Sequence, residues 1–343
     1  MDSLRGKRIF VGLSGGVDSA VSAALLKDAG AEVIGVFIKG WYPPGMPCTW
    51  AEDRRDAMRA AAHLQIPFHT LDASVEYKQG VIDYLLHEYA EGRTPNPDIM
   101  CNREVKFGAF WRFAQAHGAD YIATGHYARA IDGAVYRGID ISKDQSYFLW
   151  AVPKEALART LFPVGGMEKS ATRALAQKYG IPLAAKKDSQ GICFLGSISV
   201  DDFLRAEIGA TPGTALTEDG VVLGTHEGAV LATLGERVSL TDAPPGPWYV
   251  VKKLMQTNEL VVSHTLPTVH AGAIHLSQVN LLDTVAADAP IDAQYRYHGP
   301  IISGSFTSEG VFTPLADLPE PIAPGQSLAL YQGDRLLGGG IIG

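Results

Sequence analysis

A buried strand that runs into a glycine loop and then a helix constrains this chain more than any other feature. Arg8–Leu13 carries the apolar run Ile9-Phe10-Val11, and Val17–Ala29 places Val17, Val21, Ala24 and Leu25 on one helical face. Between them lies Ser14-Gly15-Gly16-Val17-Asp18-Ser19. The two glycines let the backbone turn sharply and approach a ligand. The N–H groups at the start of the helix then face outward, where the helix dipole favours an anion. Ser14 and Ser19 hydroxyls can donate to phosphate oxygens. Asp18 is the odd member, because a carboxylate beside phosphates repels them unless a cation such as Mg²⁺ bridges the two. The loop lacks the lysine of the common phosphate loop, which argues against γ-phosphate cleavage. An isolated glycine pair would be no more than a turn into a helix. The ordered strand, loop and helix make it a phosphate site.

The same alternation continues. Strands are expected at Glu32–Ile38, Pro67–Leu71 and Tyr121–Thr124, and helices at Ala51–Leu64, Val75–Glu91 and Val105–His117. This predicts an α/β fold, a doubly wound parallel sheet of Rossmann-like type that binds ligands at the carboxyl ends of its strands. Ser142–Ile208 reads as mostly helical, with Gly180 ending one helix. After Gly209, turn pairs such as Pro212-Gly213 and Asp219-Gly220 multiply, and Trp248–Lys252 with Leu260–His264 flank Thr257-Asn258 as a hairpin. We expect an α/β domain over 1–208 that carries the phosphate site, a small central domain over 209–265 and a C-terminal β-barrel over 266–343.

Bulk properties narrow the field. With 343 residues, 46% hydrophobic and 19% charged, the chain can build several cores. No apolar run reaches membrane-span length and no signal-peptide pattern opens the chain, which points to the cytoplasm and to no membrane partner. Three cysteines, Cys48, Cys101 and Cys193, with no CxxC pair, suggest neither a disulfide framework nor a cysteine-held metal. No metal-ligating residues are assigned. The net charge of −8 taken alone argues against nucleic acid, though a local basic patch works on an acidic protein.

The glycine loop resembles the pyrophosphate-binding loop of adenylating ATPases that release pyrophosphate. Four further stretches, GRTPNPDIMCN (92–102), ATGHYAR (123–129), SKDQSYFLW (142–150) and KKDSQGICFLG (186–196), with the terminal GGGII (338–342), resemble the tRNA-specific 2-thiouridylases over nearly the whole chain. The resemblance implies ATP-dependent thiolation of the wobble uridine of tRNA: adenylation of uracil O2, then sulfur transfer from a cysteine persulfide, with release of AMP and pyrophosphate. It implies tRNA as partner, together with a persulfide donor, a cysteine desulfurase or sulfur-relay protein. Cys193 would bear the persulfide, Cys101 would be the nucleophile that ends in a transient disulfide with Cys193, and Asp98 would act as general acid or base. ATP would be held by Gly12, Leu13, Ser14, Gly15, Gly16, Val17, Asp18 and Ser19, by Ile38 through its backbone and by Gly125. Asn96, Pro97 and Asp98 would meet the target base. His126, Lys143, Asp144, Gln145, Tyr295, Arg296 and Gln326 would meet tRNA.

The chemistry fits these residue types, since a thiolate is the protein's sulfur nucleophile and a second thiol can release a persulfide's terminal sulfur. A bland alternative stands beside each assignment. A lone cysteine is often a small buried hydrophobe; the polar, Gly/Pro-punctuated settings of Cys101 and Cys193 predict exposed loops instead. Cys48 is unassigned. His126 can fill a strand end, 143–145 can be a solvated loop, and Tyr295 and Arg296 can be ordinary strand surface. Two departures from the family pattern, LGERVSL (234–240) and Gln294 in QYRY (294–297), remove positive charge from the expected RNA side. Two other functions stay open: a different pyrophosphate-releasing synthetase, and a non-catalytic nucleotide- or RNA-binding module.

Overall fold

In the computed structural model, residues 4–43, 50–186, 199–285 and 290–343 are described. Cys48 and Cys193 lie outside them. The apolar strands predicted at the start of the chain assemble as a parallel sheet. Strands β1 (Arg8–Gly12), β2 (Glu32–Lys39), β3 (Phe68–Asp72) and β4 (Tyr121–Ala123) pair side by side in the order β3-β2-β1-β4. Helices α1 (Val17–Asp28) and α2 (Trp50–His63) cover one face, where Ile9, Val11, Val21, Ala24 and Ala57 are sealed from solvent. The other face carries Phe10, Ile34 and Val36 against helices over 74–90 and 97–116. Sequence order reverses beside β1, so the carboxyl ends of β1, β2 and β4 open onto the crevice where such sheets bind ligands.

The chain then leaves this sheet. A hairpin, β5 (Ala128–Ile131) and β6 (Ala134–Arg137), departs from the crevice, and a two-residue strand, β7 (Thr160–Leu161), returns to pair with β4. The stretch expected to be mostly helical is therefore interrupted. Of the described residues between 142 and 208, the α-helices are Lys154–Leu157, Lys169–Lys178 and Val200–Ile208.

Beyond Gly209, whose φ of +73° ends the last of those helices in the left-handed form glycine tolerates, the texture turns to β as predicted. Five strands, β8 (Gly213–Leu216), β9 (Val222–His226), β10 (Arg237–Val238), β11 (Trp248–Leu254) and β12 (Glu259–Ser263), form a half-barrel in the order β10-β11-β12-β8-β9. The expected hairpin is β11–β12, and Asn258 takes the positive φ its turn requires. Its core, built on Trp248, Val250, Leu260 and Val262, is separate from the others.

Six strands, β13 (Ile274–Leu281), β14 (Ile291–Gln294), β15 (Ile301–Phe306), β16 (Val311–Pro314), β17 (Ser327–Gln332) and β18 (Arg335–Ile342), close into a barrel through the β13–β18 pairing. Hairpin β5–β6 adds to this barrel rather than to its own sheet. Arg335 and Leu336 on β18 pair with Tyr136 and Val135. Buried residues of both regions, Phe10, Val105 and Trp150 with Ala329, Tyr331 and Ile341, belong to one continuous core. A polar seam crosses it. Arg137 donates to Asp144 (3.2 Å) and Gln294 (2.9 Å) and lies over the Tyr331 ring, while Ser146 shares a hydrogen bond with the Tyr331 hydroxyl.

Candidate active site

The glycine loop sits where the sequence predicts, at the end of β1. Gly15 has φ +78°, and a side chain there would meet the Asp53 carbonyl of α2 at 2.4 Å, so two independent constraints demand glycine. Ser19 Oγ accepts from Ser14 N–H (3.2 Å) and donates to the Gly16 carbonyl (3.1 Å), which fixes the loop's shape. Gly16 caps α1 without any side-chain hydrogen bond, leaving the helix start to a ligand. Gly125, just past β4, packs so closely on α1 that a β-carbon would lie 2.7 Å from Ser19 N. Ile38 reaches within 3.9 Å of the β-carbon position of Gly12. Ser14, Gly15, Gly16, Asp18, Ser19 and Gly125 thus lie together at the carboxyl ends of β1 and β4, with Gly12 and Ile38 in contact just below, while Leu13 and Val17 are buried in the core.

Asp18 holds a partner the sequence did not reveal. Its carboxylate accepts from Lys169 Nζ at 2.7 and 2.8 Å and from the Tyr127 hydroxyl at 3.0 Å. Lys169 opens the helix Lys169–Lys178, which packs on α1, and 151 positions separate it from Asp18. The lysine absent from the loop itself therefore arrives from elsewhere in the chain. The cation the structure places beside Asp18 is thus Lys169; Mg²⁺ carried in with a nucleotide's phosphates needs only one or two carboxylates.

The second half of the site is a helix that sequence reasoning started too late. Instead of a loop before Val105, the chain is helical from Pro97: Pro97–Cys101, then a wider-wound stretch Asn102–Ala109, then Phe110–Ala116. Asn96 is the cap, its side chain accepting from Asp98 N–H (3.1 Å) and Ile99 N–H (3.4 Å), and Pro97 occupies the first turn, where its missing N–H costs nothing. Cys101 is consequently not on an exposed loop. It is 3% exposed, on the inner face of the helix. Asp98, one turn earlier, is half-buried, and burial pushes its carboxyl above the ordinary carboxylate range, against the opposing pull of Lys106. Wide helical turns of this kind recur at functional sites.

His126 stands nearby, 8% exposed, its Nδ1 2.8 Å from the Thr124 hydroxyl and its ring against Phe107 and Phe162. Burial, helped by Lys106, holds its pKa well below that of an ordinary histidine, so it is neutral. Lys106 thus acts on both titrating groups. The approach to Asn96 is braced from two sides. Thr94 N–H donates to the Pro324 carbonyl (2.8 Å), its hydroxyl donates to Thr233 (3.3 Å), and Gly92 lies against Met255 of the half-barrel.

The residues expected to meet RNA divide sharply. Lys143 is half-buried and Gln326, half-buried, adjoins the Thr94 loop through Gly325. Arg296 is exposed and ion-paired with Glu320. Asp144, in contrast, is buried and accepts from Arg137, Gly138 N–H and Ser146. Gln145 accepts from Tyr127 N–H. Tyr295 is 2% exposed, its hydroxyl donating to Glu320. The departure at Gln294 has a structural reason: this side chain is buried and accepts from Arg137, so a cation there would face another cation. It removes no charge from the surface.

A parallel sheet with a glycine loop of this kind at its carboxyl edge defines an α/β nucleotide-binding protein of the pyrophosphate-loop class. Family models described as tRNA methyl transferase HUP domain, tRNA methyl transferase PRC-barrel domain and aminomethyltransferase beta-barrel domain match residues 7–197, 201–264 and 272–342. The tRNA-specific 2-thiouridylase MnmA of Pseudomonas syringae pv. syringae is 43% identical over 98% of this chain and 94% of its own length. That of Shewanella frigidimarina is 42% identical over 98% and 96%. The chain belongs to the tRNA-specific 2-thiouridylase family. Among solved structures, the U34-tRNA thiolase NcsA of Methanococcus maripaludis is 15% identical over 61% of this chain and 65% of its own, with a TM-score of 0.39. The NMN synthetase of Francisella tularensis is 17% identical over 62% and 75%, with a TM-score of 0.37. Both likenesses are too distant to bear on function. Among the described residues no helix is long and apolar enough to cross a membrane.

Proposed function

We propose that this chain is an ATP-dependent tRNA sulfurtransferase that replaces O2 of the wobble uridine by sulfur. The observation that carries the reading is the placing of Asp98 and Cys101 one turn apart on a capped helix whose sheet also holds the glycine loop. Replacing a carbonyl oxygen by sulfur requires the oxygen to become a leaving group. Uracil O2 attacks the α-phosphate of ATP, pyrophosphate departs, and C2 carries an adenylate. The loop's serines and the start of α1 hold the phosphates, and Lys169 balances charge beside Asp18. Asp98, with its pKa raised by burial, is better suited than an ordinary carboxylate to exchange a proton with the base. The thiolate of Cys101 then attacks the inner sulfur of a persulfide on Cys193. A Cys101–Cys193 disulfide forms, the terminal sulfur leaves as sulfide and attacks C2, AMP departs, and an external thiol later reduces the disulfide. The sulfur enters Cys193 from a protein persulfide donor.

The family model's description names methyl transfer and the curated relatives' names thiolation, so the experiment must separate the two. The purified chain is given unmodified tRNA, ATP and a persulfide-loaded cysteine desulfurase, and the nucleosides are weighed. The expected product is uridine with one oxygen exchanged for sulfur, dependent on ATP and accompanied by pyrophosphate. A methyl gain, or pyrophosphate release without tRNA, would overturn the reading. The latter would indicate a small-molecule synthetase.

A further inference from the structure

The two residues after Gln294 expected to touch RNA both engage Glu320, whereas the next two, Tyr297 and His298, stack on each other. Tyr295 is turned inward, and Arg296 is held by Glu320. Tyr297 and His298 turn the other way. Their rings are stacked, centroids 3.9 Å apart and planes 25° apart, and His298 is exposed. His298 takes φ +55°, a conformation uncommon for a residue with a side chain. The turn closes immediately, with Gly299 N–H donating to the Arg296 carbonyl at 2.9 Å. A β-carbon on Gly299 would lie 2.3 Å from Arg296 Cγ, so the tight turn depends on glycine. The local backbone is thus shaped to lay the imidazole flat on the phenol.

The stack leads to the active helix. Tyr297 packs on Phe148 at 4.6 Å, the Phe148 carbonyl accepts from Asn102 Nδ2 at 3.0 Å, and Asn102 directly follows Cys101. The barrel therefore presents a two-ring shelf, exposed at His298, that connects through Phe148 and Asn102 to the helix carrying Asp98 and Cys101. Single-stranded RNA loops are recognised by stacking unpaired bases on aromatic rings.

We infer that Tyr297 and His298 form a stacking shelf for a base neighbouring the target uridine in the single-stranded loop of tRNA. This inference rests on the reading of the chain as a tRNA sulfurtransferase. The shelf holds the neighbour while the target base enters toward Asp98, so it is a positioning element and takes no part in bond changes.

The test uses the full chain and an anticodon stem-loop RNA, intact or with an abasic residue on either side of the target uridine. His298→Ala should weaken binding of the intact RNA by about 5-fold to about 150-fold, the span of one lost base–aromatic stack. Stacking is not ionic, so the slope of affinity against salt should stay unchanged, whereas a lost phosphate contact would lower it. His298→Trp should restore affinity. Tyr297→Phe should bind like the wild type. One of the two abasic RNAs should bind weakly to the wild type and lose nothing further with His298→Ala. Equal loss on intact and both abasic RNAs, or no loss on the intact one, would overturn the shelf while wild-type thiolation persists. A wild type that thiolates no tRNA would bring down the functional reading, and the shelf with it.

Discussion

The two halves of the candidate active site are built on opposite principles. The nucleotide half is a backbone structure. Glycines at positions 15 and 125 bring main chain against main chain, and its one carboxylate, Asp18, is neutralised by Lys169. The thiol half is a side-chain structure. Among the described residues Asp98 makes no ion pair of that kind; burial pushes it toward its neutral form against the weaker pull of Lys106, and Cys101 is enclosed in the core. A binding site for a highly charged ligand profits from compensated charge and preset N–H groups. A site for proton and sulfur chemistry profits from an uncompensated carboxyl and a shielded thiol, since a displaced pKa is what lets a carboxyl act near neutrality. Under the proposed function, binding and chemistry should therefore be separable in this molecule.

Mutations can break that separation or sharpen it. The largest effect is expected from Cys101→Ser. Formation of 2-thiouridine should fall by roughly a thousandfold or more, the scale set by loss of a covalent nucleophile, while tRNA-dependent pyrophosphate release continues. If both fall together, the halves are not independent. Next comes Asp98→Asn, which should lower thiolation by about a hundredfold to ten-thousandfold, the span of a lost acid–base group. The same variant should be more stable at neutral pH. The folded pKa of Asp98 is raised, so its favourable contribution is complete below the unfolded value of 3.8 and is lost as pH rises through the folded one. Melting curves should show the variant ahead of the wild type at pH 7.5, with the gap closing toward pH 4. A wild type ahead at both would remove the burial argument.

A smaller effect, on the other half, is predicted for Lys169→Met. Affinity for ATP, measured by calorimetry, should fall about tenfold to a hundredfold, corresponding to one or two charge-assisted hydrogen bonds. Lys169→Arg should recover part of it. Unchanged ATP affinity would show that Lys169 serves only the fold. The smallest effect is a displacement along the pH axis. Lys106 draws the Asp98 pKa down, so Lys106→Met should move the acidic limb of the activity profile to higher pH. It should also relieve His126 of a repelling charge. A limb that stays in place would mean Asp98 is not the group that titrates.

The sequence made the nucleotide half legible because its signals are local. A buried apolar run, paired glycines and a helical period lie within 22 residues, Arg8–Ala29, and each is dictated by neighbours in the chain. Lys169 was illegible for the converse reason, since nothing near it announces a partner at Asp18. The thiol half misled in a different way. Pro97 was read as loop punctuation, yet after a capping Asn96 a proline is favoured at the first helical turn, and this shifts Cys101 from an expected exposed loop to a buried helical face. The barrel was legible as a β-rich tail, but not its sharing of a core with the parallel sheet. Neither Arg137 nor Gln294 carries any mark of burial in the sequence alone. Tyr295 and Tyr297 are two apart and would share a face of one strand, but the strand ends at Gln294 and the turn that follows sends them to different cores.

The β18–β6 pairing joins Arg335 and Leu336 to residues some 200 positions earlier. A chain emerging from the ribosome can fold its first sheet early, because β1 to β4 all lie within the first 123 residues. Hairpin β5–β6 must wait, with one edge unsatisfied, until nearly the whole polypeptide has been made. Contacts of such long range are slow to form and leave strand edges exposed meanwhile. The seam that supports the thiol helix is therefore among the last parts of the protein to be completed, and a message cut short near its 3′ end yields a product that has the nucleotide loop but lacks the strand that braces this hairpin.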